Sequence, residues 1–329
     1  MSNNTHHASH RCTLWWVFDF LYLSIHLFAM QYQKNPITVI EQIEKLQSRG
    51  LCIDNIGKAA HFLSNISYYR LRAYTYPFQD NKKENKPFKT ALSFDDIIAL
   101  YVFDRQLRLL IFDAIEKIEV SFRTQIIYHY ALAHGSHWHL KPELYNNPLY
   151  FAEHIASLES EIIRSNETFI KHYKQKYSKP TTPPCWMSLE VSSMGLLSKL
   201  FKNLKKDNLK NFVVHYYGLK DVDLFCNWMF CLSILRNTCA HHGRVWNRRL
   251  PEIAIPKKTL HPYVHNKQFY TNKTYAVLCN IVYLLNRISP DHLFKVKLIE
   301  LMKKCPLAQE REMGFPNDWK EEAFWCYEL

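Results

Sequence analysis

Glycine is scarce in this chain, with seven among 329 residues. No glycine loop of the kind that cradles phosphates is present, which excludes a P-loop or dinucleotide-binding reading. No Gly-x-Ser-x-Gly elbow occurs either, so an α/β-hydrolase nucleophile is excluded. Internal repeats are lacking, as are short alternating strands separated by turn dipeptides. The nine cysteines form no Cys-x-x-Cys pair and no zinc spacing. An odd number of thiols in a long, core-forming chain reads as reduced and buried, in a cytosolic protein. His134, His137 and His139 lie close together, as do Cys239, His241 and His242. Neither set supplies four ligands, so neither a metal nor a cofactor is expected.

What the chain does have is apolar and aromatic mass. Hydrophobic residues make up 47% and aromatics 15%, enough for a large core and too much for disorder. Apolar positions recur at three and four, so the expected fold class is all-α. Lysine and arginine number 42 against 30 acidic residues, a net charge of +12. That balance suits a polyanionic partner, nucleic acid or an acidic membrane surface, although a basic protein need have no such partner.

Residues 13–30 form an almost continuous apolar run, near the length that spans a bilayer. Asp19 and His26 interrupt it, and no small-residue cleavage site follows. Met30 opens a string, Gln31-Tyr32-Gln33-Lys34-Asn35-Pro36, that looks like an ordinary start. Residues 1–29 are therefore expected to be an upstream extension, a misassigned start or a hydrophobic segment. Residues 30–329 are expected to form a single α-helical domain without stable membrane association.

Periodicity predicts a helix from Val39 that Gly50 ends, and a second from Lys58 to Leu63. Tyr68 to Phe78 is aromatic and basic. It reads either as a nucleic-acid surface or as packed tyrosines with Arg70 and Arg72 solvated or paired. Ser93-Phe94-Asp95-Asp96 resembles a capping box and opens the longest predicted helix, Phe94 to Ala133. Arg105, Arg108, Glu116, Glu119 and Arg123 on that helix belong either to a solvated face or to a polar groove. His134 to His139 is expected to be a loop of surface histidines. A helical passage from Leu149 to Lys176 precedes the linker Lys179-Pro180-Thr181-Thr182-Pro183-Pro184. Trp186, Leu189, Ser193, Leu196, Leu197 and Leu200 would give the next helix its apolar face. The lysines at 199, 202, 205, 206 and 210 then read as a solvated face or as a track for an RNA backbone.

The stretch Trp228 to Arg249 turns abruptly from apolar to titratable. On an ideal helix Arg236 falls roughly 40° from Leu232, at the edge of the apolar stripe, while Asn237 and His241 share a face at about 140° and 180°. Arg236 and His241 are thus too far apart to meet on one substrate atom within one copy of the motif, unless the long arginine reaches round. These residue types suit RNA cleavage. A histidine titrates near neutrality and can move the proton of a 2′-OH or of a leaving oxygen. A guanidinium stabilises charge on phosphoryl oxygens. The structural alternative is that Arg236 pairs a core carboxylate and His241 merely caps a helix.

Arg236-Asn237-Thr238-Cys239-Ala240-His241 fits the Arg-to-His signature of HEPN ribonucleases. The longer string from Leu235 through His242, Gly243, Arg244, Val245, Trp246, Asn247 and Arg248 resembles the abortive-infection AbiD/AbiF-like family of bacterial phage-resistance proteins. Tyr101 to Arg108, Ile115 to Val120, Tyr69 to Tyr74 and Pro184 to Glu190 carry the same resemblance, which covers roughly residues 32 to 325. It implies a HEPN-like helical bundle with additional helices, and RNA cleavage without a metal in phage defence. RNA would be the partner, as substrate and as a bound regulator. A homodimer would assemble a composite active site. By the same resemblance Arg236, Asn237 and His241 are the catalytic residues, with His242, Arg244, Trp246, Asn247 and Arg248 contacting RNA. A non-catalytic RNA-binding protein with the same basic surface is the alternative.

Overall fold

A computed structural model describes residues 33–257 and 260–326. The expected upstream extension over 1–29 lies outside the described residues. The helices are α1 Val39–Gln47, α2 Ile56–Ile66, α3 Tyr68–Thr75, α4 Phe94–His134, α5 Pro148–Arg164, α6 Thr168–Lys176, α7 Cys185–Ser188, α8 Met194–Asn203, α9 Asn208–Tyr216, α10 Val222–Ala240, α11 Thr274–Ile288 and α12 Phe294–Lys303. Two two-residue strands, β1 Leu51–Cys52 and β2 Leu92–Ser93, pair in parallel with Leu51 opposite Leu92. The all-α expectation holds, with this small clip as the one strand pair among the described residues. Among them, too, no helix is long and apolar enough to cross a membrane.

The clip delivers the chain into α4, the spine of the molecule. Its capping box is complete: the Ser93 hydroxyl accepts from Asp96 N–H, and the Asp96 carboxylate accepts from Ser93 N–H. Leu100, Phe103, Leu107, Ile111, Ile115, Ile118, Phe122 and Ile126 then recur at three and four and are all buried. The helix runs 41 residues, about 60 Å at 1.5 Å per residue, and Gly135 ends it at φ +86°. Against this spine pack α3, α9, α10, α11 and α12. In α11 every residue from Thr274 to Leu285 is buried, which makes it the second core helix. α10 lies against both α4 and α11. An Asp221 cap, accepting from Asp223 and Leu224 N–H, starts it.

Several boundaries differ from expectation. Polar Ser165-Asn166-Glu167 separates α5 from α6, where one passage was predicted. Ser193 does not belong to an apolar face. Its hydroxyl caps α8 by accepting from Leu196 N–H, and Trp186 is exposed. The histidine loop is not all surface either, because His139 is fully buried and His137 bonds Ser136 and the Thr182 carbonyl. The basic run is interrupted at Lys210, against both of its readings, while Lys199, Lys202, Lys205 and Lys206 are exposed. Lys210 is 1% exposed, with its ammonium donating to the carbonyls of Lys202 and Leu204. Lys206 pairs with Asp223 at 2.6 Å.

Candidate functional site at the C-terminal end of α10

α10 ends in a Schellman turn. His242 N–H donates to Cys239 O (3.0 Å) and Gly243 N–H donates to Thr238 O (2.8 Å), closing the pair of bonds that define the motif. His242 therefore takes the left-handed position, φ +58°, that glycine usually fills. The glycine is one residue later for a different reason. A Cβ on Gly243 would stand 3.1 Å from Thr238 Cγ2 and 3.2 Å from Thr238 O.

The chain after the turn is pinned to α4 by a buried carboxylate. Asp104 Oδ1 accepts from Trp246 N–H at 2.6 Å and from Val245 N–H at 3.1 Å. Its Oδ2 accepts from the Tyr74 hydroxyl at 2.7 Å and from Arg108. Four donors on a carboxylate with no exposure explain how a charge is tolerated there. Burial, with the Asp104 charge beside it, pushes the Tyr74 hydroxyl pKa up, so Tyr74 stays a donor. Two further contacts staple α3 to the same loop: Arg70 donates to His242 O at 2.9 Å, and Arg244 donates to Ala73 O. The structural reading of the aromatic–basic stretch thus holds in part: Leu71 and Tyr74 are buried and Arg70 is exposed, but Tyr69 and Tyr76 are exposed rather than packed.

The catalytic candidates divide as the helical wheel required. Arg236 is half-buried, its guanidinium over the Phe112 ring at 5.4 Å and its Nε 3.5 Å from Glu119 Oε2. Glu119 Oε1 accepts from Arg123 at 2.9 Å. Asn237 and His241 are exposed on the adjoining face, with His241 as the cap residue of α10. Arg236 also reaches Asn237 Oδ1, at 3.5 Å.

The residues expected to contact RNA are placed unevenly. His242 and Arg248 are exposed, and Arg248 donates to Arg244 O. Arg244 is committed to Ala73 O and Asn247 O, and burial lowers its pKa. Asn247 accepts from Lys273. Trp246 is 1% exposed and stacks on Phe78 at 6.0 Å, so it packs the core and offers no face to a base.

Beside Arg236 lies an open cleft of about 650 Å³; of the residues named for a polar groove, Arg105 and Arg108 line it, while Glu116, Glu119 and Arg123 do not. Arg70, Arg105, Arg108 and His242 line it, together with Tyr101, Leu109 and Phe112. Its neighbours on one face of α4 are legible at spacings of three and four, but its walls come from α2, α3, α4 and α10. Among the described residues no three His, Cys, Asp or Glu side chains group as metal ligands would. The arrangement can hold an anion and present a protonatable imidazole beside it.

No curated protein and no solved structure matches the chain. A family model described as Abi-like protein matches residues 61–247, more than half of the sequence. That span runs from within α2 to the Asp104-anchored loop and includes Glu119, Arg236, Asn237 and His241. The chain therefore belongs to the Abi-like protein family, and that membership supports a role in abortive infection, a defence against phage.

Proposed function

We propose that the chain is an endoribonuclease of abortive infection, cleaving RNA by attack of an internal 2′-OH. The observation that carries the reading is the state of Arg236: a guanidinium held only by long contacts, to Glu119 and Asn237 at 3.5 Å each and over the Phe112 ring, with a third of its side chain exposed beside a cation-lined cleft. In the reaction a bond forms between O2′ and phosphorus while the bond from phosphorus to O5′ breaks. The products are a 2′,3′-cyclic phosphate and a 5′-hydroxyl. Arg236 stabilises the charge growing on the non-bridging oxygens. His241 moves a proton, taking it from the 2′-OH when neutral or giving it to O5′ when protonated. Asn237, one turn before His241, orients the imidazole or bonds the phosphate. The chemistry itself calls for no metal.

A second copy of the chain completes the site in this reading. Phe230, Ile234, Asn237 and His241 follow one another at i, i+4, i+7 and i+11 along the outward row of α10. Phe230 is 43% exposed. This row brings an apolar lead-in to the polar pair, as a two-fold contact between identical helices would need.

The alternative, a non-catalytic RNA-binding protein, is favoured by the same Arg236–Glu119 contact if that contact is purely structural. The deciding experiment is cleavage of RNA in the presence of a chelator by wild type, Arg236→Ala and His241→Ala. Loss of about 100-fold or more in each variant is expected for a transition-state contact. Equal cleavage by all three removes the catalytic assignment, and a monomeric chain that cuts at full rate removes the composite site.

A further inference from the structure

The cleft beside Arg236 has a composition that the chemistry above does not use. Tyr101, Arg105, Leu109 and Phe112 follow one another on one face of α4, a ring, a cation, an apolar side chain and a ring. Tyr101 and Phe112 are separated by about 16 Å along the helix axis at 1.5 Å per residue. One base cannot lie on both rings. Arg105 sits between them, exposed, with no partner among the described residues. Arg108 is already neutralised by Asp104, and Arg70 uses one N–H on His242 O. None of the residues lining the cleft carries a carboxylate. The volume, about 650 Å³, falls in the range of roughly 300–1,000 Å³ typical of ligand sites.

We infer that this cleft is a binding track for a single-stranded segment of at least three nucleotides. Bases two apart in the strand lie against Tyr101 and Phe112, and a phosphate between them sits at Arg105. Rings with a cation between them suit an unpaired strand, whose bases expose their faces, and not a duplex, whose bases are already stacked. Phe112 lies beneath Arg236, so a strand in the track runs toward the guanidinium. The inference rests on the reading of the chain as acting on RNA, and it names the form of the substrate: unpaired on the side of the cut that crosses α4. A free mononucleotide offers the same phosphate and base but can occupy only one ring.

The test is binding of a fluorescent 2′-O-methylated uridine hexamer, which lacks the attacking hydroxyl and stays intact, to the full chain. Arg105→Ala and Leu109→Glu both alter exposed side chains, so folding is preserved. Each is expected to weaken binding by about tenfold or more, as loss of a phosphate contact or introduction of a repelling charge does. AMP at a large excess is expected not to displace the hexamer, and the hexamer annealed to its complement is expected to bind more weakly. Hexamer affinity unchanged in both variants, no binding by the wild type, or displacement by AMP at the hexamer's own concentration range would overturn the track. Cleavage of unmodified RNA, measured in parallel, separates this inference from the reading beneath it. Arg236-dependent cleavage with hexamer binding indifferent to Arg105 removes the track alone. Arg105-dependent binding without any cleavage removes the nuclease alone.

Discussion

Arg236 and Glu119 meet across two helices, Nε to Oε2 at 3.5 Å, while the other Glu119 oxygen is held by Arg123 at 2.9 Å. The carboxylate therefore has a stronger and a weaker partner. Arg123 is buried and also donates to Ser192 O. Arg236 is a third exposed. The pairing separates stability from activity. Arg236→Ala leaves the buried pair intact and is expected to cost about 1 kcal/mol or less, in line with partly exposed ion pairs. Glu119→Ala strands Arg123 and is expected to cost about 3 kcal/mol. Urea denaturation of the two variants checks the order. If Arg236→Ala proves the more destabilising, Arg236 is a structural residue and its catalytic role loses its support.

Asp104 offers a second test, because it binds the loop after α10 through two backbone N–H groups and nothing softer. Asp104→Asn keeps the shape but replaces an acceptor oxygen with a donor and leaves Arg108 buried without its charge partner. A loss of about 3 kcal/mol is expected. The loop from Gly243 to Trp246 should also exchange its amide hydrogens faster, since Val245 and Trp246 lose their acceptor. Protection at those two amides unchanged in the variant would show that the loop is held by Arg70 and Arg244 instead.

The Schellman turn predicts opposite outcomes at adjacent positions. His242 sits in the left-handed region, where a non-glycine residue costs about 1 kcal/mol. His242→Gly removes that cost and should leave stability unchanged or raised by up to about 1 kcal/mol. Gly243→Ala adds a Cβ against Thr238 and should lower the melting temperature. A His242→Gly variant that melts well below the wild type would mean that the imidazole makes a stabilising contact.

What the sequence disclosed and what it hid follow from the reach of each interaction. The start of α4 was legible because Ser93 and Asp96 cap within one turn, and its buried face because apolar residues repeat at the helical period. The edge position of Arg236 was legible for the same reason. The division of α5 from α6 was not, since Ser165-Asn166-Glu167 contains neither glycine nor proline to mark it. The role of Asp104 was hidden by distance, because its partner Val245 lies 141 residues away. Trp246 stood beside Arg244 and Arg248 in the sequence and was grouped with them. Only the fold shows that Phe78 covers it. The cleft was legible only on its α4 wall, where Arg105 and Arg108 fit the polar-groove alternative; its other walls come from three further helices and have no local signature.

Two buried histidines predict how the fold responds to acid. Burial, with His137 beside it, pushes His139 down to a pKa of about 4, and neither of its ring nitrogens has a hydrogen-bond partner among the described residues. Burial, with Lys295 and Lys117 nearby, pushes His292 down to about 4 as well. The His292 ring works only when neutral, since Nδ1 accepts from Phe294 N–H at the start of α12. In the unfolded chain a histidine gains its proton near pH 6.5. Below that pH the unfolded state binds protons that the folded state refuses. Stability is then fully present above about pH 6.5 and falls as the pH drops toward 4, by up to about 3 kcal/mol for each histidine. The measurement is urea denaturation at pH 7 and pH 5, for wild type and His139→Leu. The apolar side chain fits a site that gives the imidazole no hydrogen bond, and the variant should lose less stability between the two pH values than the wild type. Equal losses would mean that His139 is protonated in the folded protein and that its burial is relieved by water.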